Sequence, residues 1–102
     1  MQILKFIASI FIFFLSLNLW AQNGIIRGIV LDESTGDPLI SVTVIAEGTT
    51  KGILTDLDGK FNLLISPGTY NVKFSYISYE SKVITGINVN PGEVTFLDHI
   101  LL

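Results

Sequence analysis

The sequence predicts an all-β fold: a small antiparallel β-sandwich of about seven strands, preceded by a helical signal peptide. Three observations carry this. Apolar residues beyond Asn23 alternate with polar ones, as successive side chains on a half-buried strand must. Turn residues punctuate that alternation at short intervals. The N-terminal segment is predominantly apolar instead, from Phe6 to Leu17, with Ser9 and Ser16 as its uncharged interruptions.

The N-terminal segment comes first in the chain. Lys5 supplies a single positive charge, and the apolar run after it ends at Asn18. A signal-peptide core spans ~7–15 residues, whereas a membrane-spanning helix needs ~20. The run fits the former. Leu19-Trp20-Ala21 places a small residue before a cleavage point and leaves Gln22 as the new N-terminus, although Leu19 is a large residue for the position two before Ala21. An uncleaved anchor helix is the alternative. The expected division is therefore a signal peptide over 1–21 and one β domain over 22–102, with no membrane span after cleavage.

Ile25 to Leu31 forms the first expected strand. Asp32-Glu33-Ser34-Thr35-Gly36-Asp37-Pro38 follows as a turn: Asp and Ser bond local backbone, Gly36 tolerates positive φ, and Pro38 has no N–H for a central ladder. Leu39 to Ala46 is the second strand, with Val42, Val44 and Ala46 on one face and Ser41 and Thr43 on the other. A loop over Glu47–Gly52 leads to a short strand, Ile53–Thr55. Asp56-Leu57-Asp58-Gly59 is a tight turn, and Asp58-Gly59 is a hairpin signal.

The alternation is clearest next. Phe61, Leu63 and Ile65 share a face. After the turn Ser66-Pro67-Gly68, Tyr70, Val72, Phe74 and Tyr76 point one way and Asn71, Lys73 and Ser75 the other. Weaker strands are expected at Lys82–Ile84, Ile87–Val89 and Val94–Leu101, with Asn90-Pro91-Gly92 between the last two. No part of this region has helical periodicity.

Composition narrows function by exclusion. Of 102 residues, 49% are hydrophobic and 15% charged, which allows one domain. There is no cysteine, so disulfides, thiolate metal sites, a cysteine nucleophile and a lipidated cysteine are excluded. Burial and sheet hydrogen bonds must hold this small exported domain together. The net charge of −3 and the lack of a basic stripe argue against a nucleic-acid partner.

Few residues are candidates for chemistry. Asp56 and Asp58, two carboxylates before Gly59, match the start of a calcium loop, but its remaining ligands are missing. A turn in which Asp bonds backbone N–H groups is the plainer reading. His99 is the single histidine. A Ser–His–Asp set drawn with Asp98 or Asp32 lacks a nucleophile elbow, and one His without Cys is too few for zinc. Among the aromatics Tyr70, Phe74, Tyr76 and Tyr79, the first three follow the inward period. Tyr79 breaks it and is the weak binding candidate. No residue set calls for a cofactor, and no catalytic residue is expected.

The order of turn and strand residues resembles one known family. Gly28-x-Val30-x-Asp32, Thr35-Gly36-Asp37-Pro38-Leu39, Val42-x-Val44, Gly48-Thr49, Gly52, Thr55-Asp56-x-Asp58-Gly59-x-Phe61-x-Leu63, Pro67-Gly68-x-Tyr70 and Phe74-Ser75-Tyr76-Ile77-Ser78-Tyr79 are similar to the carboxypeptidase regulatory-like domain. The resemblance covers Ile25 to Leu101. Ser78 departs from it, because the family often has Gly there. The resemblance implies a transthyretin-like (prealbumin-like) sandwich that is not itself catalytic. It also implies a setting, since such domains commonly sit behind the signal peptide of TonB-dependent outer-membrane transporters. With no room here for a plug or barrel, transport is not carried over. The expectation is a non-enzymatic cell-envelope accessory or interaction domain, stand-alone or truncated, exported to the periplasm or the periplasmic face of the outer membrane, with an envelope protein as partner. An N-terminal fragment of such a transporter, and a carbohydrate- or peptide-binding module, are the alternatives.

Overall fold

A computed structural model describes residues 22–102 of the chain. The expected signal peptide over 1–21, and its cleavage after Ala21, lie outside the described residues. Seven strands form: β1 (Gly24–Leu31), β2 (Thr43–Ala46), β3 (Gly52–Leu54), β4 (Lys60–Ile65), β5 (Gly68–Ser75), β6 (Lys82–Val89) and β7 (Val94–Leu101). They make a three-stranded sheet ordered β4-β1-β7 and a four-stranded sheet ordered β3-β2-β5-β6. The expected all-β sandwich of seven strands is therefore what the chain forms.

The core lies between the sheets, and the alternation explains why. β4 runs exposed-buried through Lys60–Ile65, so Phe61, Leu63 and Ile65 point inward while Lys60, Asn62 and Leu64 point out. β1 contributes Ile26 and Val30, β7 contributes Ile100, and the opposing sheet contributes Val44, Ala46, Val72, Phe74, Ile87 and Val89. Phe61 and Phe74 meet edge to face across the gap, with ring centroids 5.6 Å apart at 62°, a favoured aromatic geometry. Gly28 lies against the Phe61 ring: a Cβ there would stand 2.8 Å from Phe61 Cζ and 3.1 Å from Ile100 Cδ1.

Four expectations need correction. The sandwich is antiparallel except in one ladder, because β7 runs parallel to β1. β7 enters from the other sheet after β6, and a strand arriving by crossover is free to lie parallel. The second strand is shorter than Leu39–Ala46. In the segment before β2, Leu39 N–H donates to Val30 O and Ser41 N–H to Thr55 O, both at 3.0 Å, and Ser41 has φ 63°, which breaks the ladder before Thr43.

The hairpin expected at Asp58-Gly59 does not form. The turn is present, but β3 pairs with β2 and β4 with β1, so the chain crosses between sheets there. Thr55 explains the crossing. It is the one buried polar side chain among the described residues. Its Oγ1–H donates to Leu39 O at 2.6 Å and its Oγ1 accepts from Val42 N–H at 2.9 Å. Finally, the two weak strands Lys82–Ile84 and Ile87–Val89 are one strand, β6. A register shift against Tyr70–Val72 accommodates the intervening residues. Gly86 takes φ 70° there, and its N–H donates to Asn71 Oδ1 at 3.2 Å.

Candidate functional site

The Asp56 and Asp58 turn is a self-contained backbone cap. Asp56 Oδ1 accepts the N–H groups of Asp58 and Lys60, both at 2.9 Å, and Gly59 N–H donates to Asp56 O at 3.0 Å. Gly59 has φ 73°, and a Cβ on it would run into the Val30 carbonyl oxygen. Among the described residues, no three His, Cys, Asp or Glu side chains gather as metal ligands.

Tyr79 is half-buried against Tyr76, with ring centroids 5.3 Å apart. Its O–H donates to Asp32 Oδ2 in a short hydrogen bond. Asp32 Oδ1 meanwhile accepts Ser34 N–H at 2.8 Å and Thr35 N–H at 3.0 Å. The Tyr79 hydroxyl and these backbone donors hold the Asp32 carboxyl below its ordinary 3.8. The same bond raises the Tyr79 phenol above 10.0. The pair clasps the β1–β2 turn to the β5–β6 turn, so the polar end of Tyr79 is occupied within the domain. His99 is exposed on β7, opposite Ile29.

A different surface stands out, on the outer face of the three-stranded sheet. The ladders align Leu64, Ile25 and Val94 in one row, Asn62, Arg27 and Phe96 in the next, and Lys60, Ile29 and His99 in the third. Leu31 opposite Leu101 ends the series. Phe96 is 54% exposed and Leu64 56%, so two large apolar groups face solvent in adjacent rows. Arg27, Gly28, Ile29, Lys60, Phe61, Asn62 and Phe96 line an open groove of about 400 Å³ on this face. Arg27 Nε–H donates to Asn62 Oδ1 at 2.5 Å, which uses one of the guanidinium's five N–H donors.

Sequence reasoning missed this face because it sought aromatics only in the Tyr70–Tyr79 run. A signal was present. Ile25-Ile26 and Ile29-Val30-Leu31 are apolar on both sides of the alternation, a pattern of strands covered on both faces.

Comparison with known proteins gives the family context. Residues 26–99 match the family described as CarboxypepD_reg-like domain. The chain is 42% identical over 78 residues to the TonB-dependent receptor SusC of Bacteroides thetaiotaomicron, a match covering 76% of this chain and 7% of the receptor. It is 36% identical over 76 residues to carboxypeptidase D of Mus musculus, covering 74% of this chain and 6% of that protein. The chain thus corresponds to a small part of each of these relatives. Among solved structures it is similar to a chain of a type II cohesin–X-dockerin complex from Acetivibrio cellulolyticus, with a TM-score of 0.66 and 28% identity over 76% of this chain and 56% of that one.

Proposed function

The chain belongs to the carboxypeptidase regulatory-like domain family, and from that premise we propose that it is a non-enzymatic docking module of the cell envelope, held at the periplasmic side by an envelope protein partner. The 42% identity to a TonB-dependent receptor is the observation that carries this reading. The resemblance in turn and strand residues supports it. So does the way the candidate polar residues are used: Asp56 caps a turn, Asp32 and Tyr79 bind each other, and neither set is aimed at a substrate.

The test is photo-crosslinking of the exported chain in intact cells, followed by fractionation. The expected result is a discrete crosslink to one envelope protein, recovered with the membrane fraction. A freely soluble monomer without crosslinks refutes the reading. Hydrolysis of peptides or esters that disappears with His99→Ala does so as well.

A second reading, that the chain is the N-terminal piece of an outer-membrane transporter, draws on the same receptor similarity. Sequencing the downstream DNA decides it: a plug or barrel reading frame supports it, and its absence removes it. A carbohydrate- or peptide-binding role through Tyr79 draws no support from the geometry, since the Tyr79 hydroxyl is bound to Asp32 and its ring lies against Tyr76.

A further inference from the structure

The outer face of β4-β1-β7 has the wrong chemistry for a solvated sheet. One-sided sheets place polar residues outward, and β5 in the other sheet does so with Asn71, Lys73 and Ser75. Here the outward positions include Ile25, Ile29 and Leu31 on β1, Leu64 on β4, and Val94, Phe96 and Leu101 on β7, with Arg27, Lys60, Asn62 and His99 as the polar groups among them. Contiguous exposed apolar surface rimmed by polar groups marks interaction sites.

The charges on this face say what it would meet. The chain is acidic, with a net charge of −3, yet the groove is lined by the cations Arg27 and Lys60 and by no carboxylate. Arg27 is the sole arginine of the chain. Its bond to Asn62 orients the guanidinium within the row that holds Phe96. Such a fork matches a carboxylate in two-point fashion, and arginine beside an exposed aromatic is the composition of interface centres. Asp98, the nearby acid on β7, sits at the bulge with φ 62° and outside the groove lining. A second copy docking by the same face would bring Arg27 and Lys60 against their own counterparts, and like charges so placed repel.

We propose that this face docks an acidic segment of a partner protein, in which carboxylates alternate with aliphatic side chains. Phe96, Leu64 and Val94 take the aliphatic groups, and Arg27 and Lys60 take the carboxylates. This rests on the docking-module reading and adds the location and the chemistry of the partner.

The test uses the exported chain, labelled with 15N, and three soluble Gly/Ser-flanked peptides. One carries Glu-Leu-Glu-Ile at its centre; the others replace Glu by Gln or by Lys. The expected result is that the Glu peptide shifts the amide resonances of Arg27, Lys60, Asn62 and Phe96. Its affinity should exceed that of the Gln and Lys peptides at least tenfold, and Arg27→Gln or Phe96→Ser should reduce it at least tenfold. Arg27→Lys keeps the charge without the fork and should recover only part of the loss. Both altered side chains are exposed, and retained amide dispersion verifies the fold of each variant. Equal affinity for the three peptides overturns the inference, as does no shift with any of them. Shifts confined to the β3 edge overturn it too, while leaving the docking-module reading standing. Loss of the cellular crosslink in the wild-type chain removes the module reading itself.

Discussion

Thr55→Val is the sharpest test of how this sandwich is tied together. The substitution keeps side-chain volume and removes only the hydroxyl. In the structure that hydroxyl donates to Leu39 O at 2.6 Å and accepts from Val42 N–H at 2.9 Å, at a site only 4% exposed. Removing it leaves a buried carbonyl and a buried N–H without these partners. Each orphaned group costs ~1–3 kcal/mol, and the new methyl recovers about 0.8 kcal/mol. The expected loss is therefore about 1–5 kcal/mol. A domain of roughly 80 residues has a stability of ~4–12 kcal/mol, so the loss is a large share of it. At ~4–8 °C per kcal/mol, Tm should fall by at least about 5 °C.

Thr55→Ser is the control. It keeps the hydroxyl and deletes one buried methyl, for a loss of about 1 kcal/mol. Urea titrations of the three proteins, with common slopes verified, give the comparison. If Thr55→Val lies within 0.5 kcal/mol of wild type, or is milder than Thr55→Ser, the crossing is not held by this hydroxyl and the reasoning fails.

Three further outcomes follow from the backbone and from the clasp. Ser78 has φ 67°, a region that costs a side chain ~1–2 kcal/mol. Ser78→Gly should therefore raise stability by about 0.5–1 kcal/mol in the same titration, whereas Ser75→Gly within β5 should lower it. Gly59→Ala adds both positive-φ strain and a clash with the Val30 carbonyl; a loss above about 2 kcal/mol is expected by thermal melting, and a neutral result would show that the turn relaxes freely. The clasp predicts pH dependence of opposite sense at its two ends. Because the folded-state Asp32 value is lowered, its contribution is present above the unfolded value of 3.8 and fades as pH falls through the folded one. Because the Tyr79 value is raised, its contribution is present below 10.0 and fades as pH rises through the folded value. The stability difference between wild type and Tyr79→Phe should thus be flat at neutral pH and shrink at both extremes; a difference that does not change below pH 3.8 would show that Asp32 is not the partner.

Strand positions and inward faces were legible because burial on one face imposes period 2 directly on the residues. Phe61, Leu63, Ile65, Val72 and Phe74 lie inside as the alternation requires. The calcium-like pair and the aromatic candidate were legible only as residue types. That Asp56 caps Asp58 and Lys60, and that Tyr79 reaches Asp32 from 47 residues away, depends on long-range placement that no local pattern encodes. Ser78 was marked by its departure from the resemblance, and its positive φ gives that departure a physical meaning.

The hairpin expected at Asp58-Gly59 and the ladder expected to be antiparallel fail for the same reason. Turn chemistry specifies how the chain reverses over a few residues, and Asp56 and Gly59 do build such a turn. It does not specify which sheet receives the next strand. That choice is made by groups outside the turn: Thr55 binding Leu39 and Val42 on one side, and Val30 N–H donating to Gly59 O at 2.8 Å on the other. These contacts pull β4 away from β3 and set it beside β1. β1 is then central in its sheet, with β4 on one side and β7, arriving by crossover, on the other. The same topology creates the apolar outer face. A central strand with Ile25, Arg27 and Ile29 outward gathers Leu64 from one neighbour and Val94 and Phe96 from the other. Had β4 stayed in a hairpin with β3, Asn62 and Leu64 would not stand beside Arg27 and Ile25. The Thr55 crossing that holds the fold is thus also what assembles the surface assigned to the partner, so a Thr55 variant that still folds should lose stability and peptide affinity together only if the crossing itself is displaced.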